Sequence, residues 1–393
     1  MSSSVPLPFV PFVRPAITDA EIEDLVAVLR SGWLTTGPRV KEFEARFADY
    51  VGAAHAVAVN SCTAALHLSL LSAGVGPGDE VVTTPLTFCS TANVILHAGA
   101  TPVFADVDPG SMNLDPAAAA EAITPRTKVL LPVHLGGRPA DIPSFRTLAA
   151  RRGLTLVEDA AHCVEGWVAG EKVGTTADFS CFSFYATKNL TTGEGGMVTT
   201  ADEAAARWMR IAALHGMSRD AWARYGRGGT AFYDVVTPGF KYNMMDLQAA
   251  LGLRQLQRLA EMQTRRAAVW EYYDDQLAEL PLRRPPPVPA GDVHARHLYM
   301  VLVDEREAAM TRDELYEGLA GLGVGASVHF RAVHLHSYYR DRFGFEPGQF
   351  PHAESISSRT LSLPLSGATT DQDAERVVAA LRQLLSRARR SRG

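Results

Sequence analysis

The chain is poor in cysteine, in positive charge and in long apolar runs, and each shortage excludes a class of protein. Its four cysteines lie far apart without CxxC spacing, which argues against a disulfide framework or a zinc site and predicts a reducing, cytoplasmic location with no bound metal. The formal net charge of -5 at pH 7 predicts no nucleic-acid or anionic membrane partner. No apolar run reaches the roughly 18 residues of a membrane span, and the proline-rich N-terminus lacks the charged segment of a signal peptide.

What remains is the composition of a globular enzyme with a large core. Of the 393 residues, 47% are hydrophobic and 21% are charged, and this length suits one large domain with a smaller one. Between residues 55 and 159, short apolar strands alternate with helices, which predicts a largely parallel sheet covered on both faces. The expected fold class is therefore α/β, with a mostly parallel, mixed sheet flanked by helices in the large domain.

The same pattern predicts the domain limits. Residues 1–255 are expected to form the large domain, including the N-terminal segment, and residues 256–393 a small C-terminal α+β domain. A long helix over residues 247–280 and a segment with five prolines, residues 281–289, are expected to join them. The small domain is expected to contain strands near residues 297–303 and 326–330 and helices over residues 312–322 and 371–385.

One lysine occupies a distinctive place in the sequence. Lys188 lies between an apolar strand predicted over residues 179–185 and the glycine-rich turn of residues 191–196, where glycines favour sharp turns and close approach of backbones. A desolvated lysine amine is the group that forms a Schiff base with a carbonyl cofactor. The alternative is a solvated lysine on a loop, which is the commoner situation.

Polar and aromatic side chains follow several strands at the point where each strand is predicted to end. These residues are Thr63, Phe88, Asp159 and His162. Because ligands bind outside the carboxyl ends of parallel strands, we expect these residues to converge on one pocket with Lys188. Simpler roles remain open, since Ser61 or Thr63 could only cap a helix and Asp159 could be a cap or a salt-bridged acid at the sheet edge.

The converging residues match the needs of pyridoxal 5'-phosphate (PLP). This cofactor requires a lysine for its aldehyde, a carboxylate that keeps the pyridine nitrogen protonated, an anion site for its phosphate and a flat side chain against its ring. Lys188 and Asp159 meet the first two needs. The helix start at residues 61–63 offers free N–H groups and a positive dipole end for the phosphate, and Phe88 offers the flat surface.

Eight motifs, in order along nearly the whole chain, resemble those of the DegT/DnrJ/EryC1/StrS family of sugar aminotransferases, which have the aspartate aminotransferase-like fold (fold type I). They are SGWLTTGP (31–38), NSCTAALHL (60–68), PLTF (85–88), VEDAAH (157–162), SFYATKNLTTGEGG (183–196), YNMMDLQAALG (242–252), VHFRAVH (328–334) and LSLPL (361–365). Each motif alone is weak, whereas the ordered set is specific.

The resemblance implies PLP as the cofactor and a role for each matching residue. Lys188 corresponds to the lysine that binds the cofactor and moves the proton, and Asp159 to the partner of the pyridinium. His162, where many relatives have glutamine, corresponds to a residue that contacts the ring or its phenolic oxygen, and Phe88 to the stacking aromatic. Asn243 corresponds to a residue that reaches the phosphate of the neighbouring subunit, which implies a homodimer with shared active sites. The implied phosphate ligands are Cys62, Thr63 and Ser183.

The resemblance also implies the reaction. An amino group would pass from glutamate to the ketone of a nucleotide-linked 4-keto-6-deoxy sugar, attached to dTDP or UDP, and give the 4-amino sugar for a natural product or a cell-surface glycan. Trp33 lies in a loop that is either a structural turn or a pocket edge, and His329 is either a substrate contact or a strand histidine paired to backbone. The candidate substrate-binding residues are Trp33, Thr35, Tyr185, Arg227 and His329.

Other functions stay possible for a member of such a family. Amination at C3 of the sugar, or of a cyclitol ketone, would use the same parts. One branch carries histidine in place of the lysine and removes the C3 oxygen instead; Lys188 argues against that reaction here. A sensor or DNA-binding regulator is the non-enzymatic alternative, and the filled catalytic positions and the absence of a basic stripe argue against it.

Overall fold

A computed structural model describes residues 9–218 and 233–392, and its main feature is a sheet of seven strands. These are β1 (His55–Val59), β2 (Glu80–Thr83), β3 (Thr101–Phe104), β4 (Thr127–Leu131), β5 (Thr155–Asp159), β8 (Phe179–Ser183) and β9 (Gly196–Thr200). Their spatial order is β1-β9-β8-β5-β4-β2-β3. Only β9 runs against its neighbours, because β8, β5, β4, β2 and β3 pair in parallel. The predicted mostly parallel, mixed sheet is confirmed.

Helices cover both faces of this sheet. They are α1 (Asp19–Ser31), α2 (Pro38–Val51), α3 (Cys62–Ser72), α4 (Cys89–His97), α5 (Pro116–Ala122), α6 (Ile142–Arg152) and α7 (Glu203–Ala212). Successive side chains of a strand point to opposite faces, and in β1 Val57 and Val59 pack with residues of α3 and α7 while Ala56 and Ala58 pack with residues of α2. Burial on both faces explains why the strands read as continuous apolar runs.

A long helix, α8 (Asp246–Gln276), connects this sheet to the C-terminal part, and α1 and α2 pack against it. Glu21 at the start of α1 is buried and binds Arg258 of α8 through a 2.6 Å ion pair. It also accepts a 2.9 Å hydrogen bond from the Thr18 N–H, as expected of a capping box. Burial alone would raise the pKa of Glu21, but the hydrogen bonds from Thr18 and Arg258 lower it to about 2.

The C-terminal part contains a three-stranded antiparallel sheet, β10 (Leu282–Arg283), β11 (Tyr299–Val303) and β12 (Thr360–Leu363). Its helices are α9 (Glu305–Ala308), α10 (Arg312–Gly321), α11 (Ser337–Phe343), α12 (Pro351–Arg359) and α13 (Asp371–Arg392). A separate two-stranded hairpin, β6 (Trp167–Val168) with β7 (Glu171–Lys172), lies beside the large sheet. Val10, near the start of the described chain, packs into the core of the C-terminal part.

The strand predicted over residues 326–330 is wrong. Only Ser327 pairs with a strand, through a single bridge to Ser362 of β12, and the chain then departs so that His329 and Phe330 reach a cavity. The third strand of the small sheet is β12 instead. The proline segment 281–289 begins with β10 rather than as an irregular linker, and the predicted boundary at residue 255 falls inside α8, so the division into two domains stays a prediction.

No helix among residues 9–218 and 233–392 is long and apolar enough to cross a membrane. Over the same ranges, no three or more histidine, cysteine or acidic side chains form a group that could hold a metal ion.

Candidate active site

A cavity of about 460 Å³ lies where the carboxyl ends of β2, β5 and β8 face the C-terminal part of the chain. The sheet supplies its floor, and residues 297–298 and 329–330 supply the opposite wall. Nine of the residues predicted from sequence line this one cavity: Cys62, Thr63, Phe88, Asp159, His162, Ser183, Tyr185, Lys188 and His329. The predicted convergence at the strand ends is therefore what the structure displays.

Lys188 follows β8 in a turn, where its backbone N–H donates to the Tyr185 carbonyl at 2.9 Å. Lys188 is half-buried and lines this cavity. Burial by the surrounding protein lowers the pKa of its amine to about 8, although the nearby Cys62 and Asp159 act in the opposite direction. A lysine with this pKa is neutral in a sizeable fraction of molecules near neutral pH, as a nucleophile and proton carrier must be.

The glycine turn after Lys188 permits a close approach between two backbones. Gly193 adopts a φ of +79°, in the left-handed region that favours glycine. A Cβ on Gly196, the first residue of β9, would lie 2.4 Å from the carbonyl carbon of Ser61 and 2.7 Å from the amide nitrogen of Cys62. These glycines thus let β9 pass directly against the start of α3.

The start of α3 has the features of an anion site. Ser61 is its N-cap, and the Ser61 hydroxyl accepts a 3.1 Å hydrogen bond from the Ala64 N–H. The first N–H groups of a helix have no partner within the helix and lie at the positive end of its dipole. Cys62, Thr63 and Ser183 line the cavity at this point. Ser61 therefore caps α3. The neighbouring N–H groups and hydroxyls remain available to bind a phosphate.

Asp159 ends β5 as a buried carboxylate. It accepts hydrogen bonds from the Thr91 hydroxyl at 2.8 Å and from the Ala161 N–H at 3.2 Å. No lysine or arginine in the described part of the chain forms an ion pair with it. Burial raises its pKa, against the effect of these hydrogen bonds. A buried carboxylate is costly unless it is paired, and the protonated pyridine nitrogen of PLP is a cation that would pair it.

Thr91 is a residue that sequence reasoning missed. It lies on the first turn of α4, three residues after the end of the PLTF motif, and a hydroxyl at a helix start was the only available indication. Its single hydroxyl hydrogen goes to Asp159, so the Thr87 hydroxyl, 2.8 Å away, donates to Thr91 in turn. The carboxylate is held by a chain of two threonines.

Aromatic rings form the sides of the cavity. Phe88, the N-cap of α4, is 57% exposed although it is large and apolar, and its ring centroid lies 6.0 Å from that of Phe330. Phe12, from the N-terminal segment, stacks on His329 at 5.5 Å. Phe12 and Phe330 were not predicted, because nothing in their local sequence shows that distant segments bring them to this cavity.

Three histidines in the cavity wall are neutral. Burial, reinforced by the positive charge of Lys188, lowers the pKa of His329 to about 3 and holds the pKa values of His162 and His297 well below their usual range. His329 contacts the Ser362 hydroxyl through Nδ1 at 2.8 Å. Its imidazole therefore pairs with a side chain rather than with backbone, the alternative considered above. His297 was not predicted from sequence.

Three predicted residues in the described part of the chain do not line this cavity. Asn243 donates from Nδ2 to the Thr36 hydroxyl at 2.7 Å, and both residues line a second cavity of about 290 Å³. Trp33 and Thr35 belong to the same loop, where Trp33 Nε1 donates to the Thr36 carbonyl at 3.2 Å and the Thr35 carbonyl accepts from the Asp246 N–H at 3.2 Å. Their roles at the site stay predictions. Arg227 lies outside the described residues.

Comparison with known proteins agrees with this geometry. The family model described as DegT/DnrJ/EryC1/StrS aminotransferase family matches residues 15–382. The chain is 49% identical to the spore coat polysaccharide biosynthesis protein SpsC of Bacillus subtilis, over 96% of this chain and 97% of SpsC. Spr1654 of Streptococcus pneumoniae, in its PLP form, superposes with a TM-score of 0.89 at 32% identity, covering 98% of this chain and 100% of the other.

DesI, solved in the presence of its TDP-sugar product, superposes with a TM-score of 0.85 at 35% identity, covering 98% of this chain and 94% of DesI. The family model spans the whole of the large sheet and most of the C-terminal part. The chain therefore belongs to the DegT/DnrJ/EryC1/StrS family and is a PLP-dependent sugar aminotransferase of the aspartate aminotransferase-like fold.

Proposed function

We propose that this enzyme converts a nucleotide-linked 4-keto-6-deoxy sugar, on dTDP or UDP, into the 4-amino sugar, with glutamate as the amino donor. The observation that carries this proposal is the placement of Lys188, with its pKa of about 8, in one cavity with the buried Asp159 and with His329. The TDP-sugar product of DesI, a relative that superposes over nearly the whole chain, supports a nucleotide-linked substrate.

Lys188 and Asp159 have different roles in the reaction. PLP, when bound, supplies an electron sink that makes a proton on the carbon bearing the amino group removable. The neutral fraction of the Lys188 amine acts as a general base that takes up this proton. The protonated amine then acts as a general acid that gives the proton back. Asp159 holds the positive charge of the pyridine nitrogen, since the low polarity of its surroundings strengthens their attraction.

The remaining residues bind and orient. Cys62, Thr63 and Ser183 line the cavity around the start of α3 and would hold the phosphate, and Phe88 would lie against the cofactor ring. His162 would contact the ring or its phenolic oxygen. Tyr185 and His329 would contact the sugar, while the aromatic wall would keep water from the reacting carbon. The loop of Trp33 and Thr35 is proposed to contact substrate groups outside this cavity, and Arg227 is proposed to contact the substrate.

We further propose a homodimer with shared active sites in the cytoplasm. Asn243 lies in the second cavity, away from Lys188 of its own chain, as expected of a residue that reaches the phosphate in a partner subunit. Three apolar residues close to Asn243 in sequence are exposed, with Val235 57%, Val236 56% and Met245 41% accessible. Exposed apolar patches of this kind mark protein interfaces. The name of SpsC favours cell-surface polysaccharide as the destination of the amino sugar.

Absorption spectroscopy tests the assignment. The purified protein should be yellow, borohydride should fix the cofactor on Lys188, and Lys188→Ala should prevent this attachment. Glutamate should bleach the yellow band, and a keto sugar nucleotide should restore it. A colourless protein that takes up no PLP would refute the assignment as a PLP-dependent aminotransferase.

The position of amination is tested in reverse. A 4-amino-6-deoxy sugar nucleotide should bleach the yellow band, whereas its 3-amino isomer and an aminocyclitol should not. Bleaching by the 3-amino isomer alone would place the reaction at C3, and bleaching by the aminocyclitol alone would identify a cyclitol ketone as the substrate. Bleaching by alanine or glutamine but not by glutamate would replace the donor and leave the rest of the assignment standing.

A further inference from the structure

His297 and His162 form a pair in the cavity wall whose protonation the structure fixes. Both rings line the cavity, are more than nine-tenths buried, and lie with their centroids 4.6 Å apart. Burial and the charge of Lys188 keep both rings neutral. A neutral imidazole carries one hydrogen, so whichever nitrogen donates, the other can only accept. The hydrogen bonds at Nδ1 therefore determine what each ring offers at Nε2.

The partners of Asn189 determine the tautomer of His297. The Asn189 amide nitrogen lies 2.7 Å from Glu165 Oε2 and 2.8 Å from the Ala295 carbonyl oxygen, and both of these oxygens accept. Glu165 is held in turn by a buried ion pair with Arg266. With both amide hydrogens used, the Asn189 oxygen faces His297 Nδ1 at 3.0 Å. His297 Nδ1 must therefore carry the hydrogen, which leaves Nε2 with a lone pair.

His162 has the opposite tautomer. The backbone N–H of Gly136 donates to His162 Nδ1 at 3.2 Å, so the hydrogen of the neutral ring is on Nε2. Neither Nε2 has a partner among residues 9–218 and 233–392, and neither is sealed away from the cavity. The wall thus presents a donor at His162 and an acceptor at His297, side by side.

The chemistry of the two substrates shows which of them suits an acceptor. Glutamate brings two carboxylates, which only accept hydrogen bonds, and one amine, which reacts. A sugar brings hydroxyl groups that donate. A fixed lone pair therefore attracts a sugar hydroxyl and repels a carboxylate, and an enzyme that takes both substrates in turn needs such a distinction.

We propose that His297 is a specificity residue for the sugar half of the reaction, and that its Nε2 accepts a hydrogen bond from a hydroxyl of the amino or keto sugar. Arg266, Glu165 and Asn189 are positioning residues, because they reach the substrate only through the tautomer of His297. This inference rests on the proposed function, since it needs a sugar in the cavity.

Two variants separate this role from a structural one. His297→Asn keeps an N–H at the position of Nδ1 and so preserves the bond to Asn189, but it removes the acceptor at Nε2. His297→Gln places an amide oxygen near the position of Nε2 and loses the bond to Asn189. If Nε2 binds the sugar, Asn is the more harmful replacement. If His297 only supports Asn189, Gln is the more harmful one.

Calorimetry measures the effect without turnover. The holoenzyme is first converted by glutamate, so that an amino sugar binds without reacting. The probes are dTDP- and UDP-linked 4-amino-4,6-dideoxyglucose, their C4 epimers, and the 2-deoxy and 3-deoxy analogues of the probe that binds best. Wild type should bind that probe about tenfold more tightly than one of the deoxy analogues, as one net hydrogen bond provides. His297→Asn should lose this difference, and His297→Gln should keep part of it.

Nitrogen NMR on histidine-labelled holoenzyme is the second readout. His297, identified by its absence from the His297→Asn spectrum, should show hydrogen on Nδ1. Three results would each overturn the proposal: hydrogen on Nε2, equal binding of all deoxy analogues by wild type, or the same difference in affinity between probe and deoxy analogue in His297→Asn as in wild type. If glutamate still bleaches the yellow band in these cases, the assignment as an aminotransferase stands. If no amino sugar nucleotide binds or bleaches the enzyme, the proposed function fails, and this inference fails with it.

Discussion

Replacing Thr91 by valine tests whether Asp159 is the anchor of the cofactor. Valine has nearly the shape of threonine, so the change deletes one hydroxyl and leaves the packing of α4. The Thr91 hydroxyl lies 2.8 Å from Asp159 Oδ2 and is buried. A hydrogen bond to a charged group is worth about 1.5–3 kcal/mol, and part of that is lost when Asp159 keeps the bond from Ala161 N–H and the longer, 4.0 Å contact from the Cys62 thiol.

The consequence for the cofactor has a definite sign. Without Thr91 the ionised form of Asp159 is less stable, so its pKa rises further and it pairs less well with a pyridinium. We expect the dissociation constant of PLP to increase about tenfold or more, since 1.4 kcal/mol is a factor of ten. Titration of the apoprotein with PLP, followed by the visible absorption band, measures this constant.

Thr87→Val is the matched control. Thr87 reaches Asp159 only through Thr91, so its loss should weaken PLP binding less than the loss of Thr91. Thermal unfolding of the three apoproteins separates cofactor binding from stability. Unchanged PLP affinity in Thr91→Val, or a larger loss in Thr87→Val, would refute the assignment of Asp159 and its threonines as the ring anchor.

Three further predictions concern other parts of the molecule. Gly196→Ala should destabilise the protein by about 1–3 kcal/mol and weaken PLP binding, because its Cβ would overlap the Ser61 backbone. Gly76→Ala is the control, since a Cβ there would have nothing within 4 Å, and it should change neither property. Denaturant titration measures the stability, and PLP titration measures the binding. Glu21 has a folded pKa of about 2 against 4.5 when unpaired. The stabilisation that its carboxylate provides is therefore present above pH 4.5 and is lost as the pH falls towards 2. Glu21→Gln should lower the free energy of unfolding, measured in urea, by about 2 kcal/mol at pH 7 and by progressively less below pH 4.5. In the apoprotein, acetylation of Lys188, followed by mass spectrometry, should rise with a midpoint near its pKa of about 8, since only the neutral amine reacts; a midpoint near that of a solvated lysine would contradict its desolvation.

Most of the cofactor site was predictable because its residues lie at the ends of strands. In a parallel sheet these ends share one edge, so Thr63, Phe88, Asp159 and Lys188 could be placed together without any three-dimensional information. The mostly parallel sheet was predictable for a related reason, since strands buried on both faces are apolar throughout.

The sequence was misleading where a pattern was local but the contact was not. Residues 326–330 alternate like a strand, yet only Ser327 finds a partner, in β12. His297 and Asn189 are separated by 108 positions, and Phe12 comes from the opposite end of the chain from His329. No periodicity in either segment indicates such a meeting, because it depends on how the C-terminal part is set against the sheet.

The sequence by itself determined most of the elements, the family and the chemical groups proposed to hold PLP. Lys188 was a candidate from its own segment, as a lysine between an apolar strand and a glycine turn, and the residues at the other strand ends strengthened that interpretation. Only the tertiary structure decided the state of those groups: the pKa of Lys188, the unpaired burial of Asp159 and the tautomers of His162 and His297. Each of these depends on burial and on hydrogen-bond partners that come from distant segments, and a linear pattern of residues carries neither.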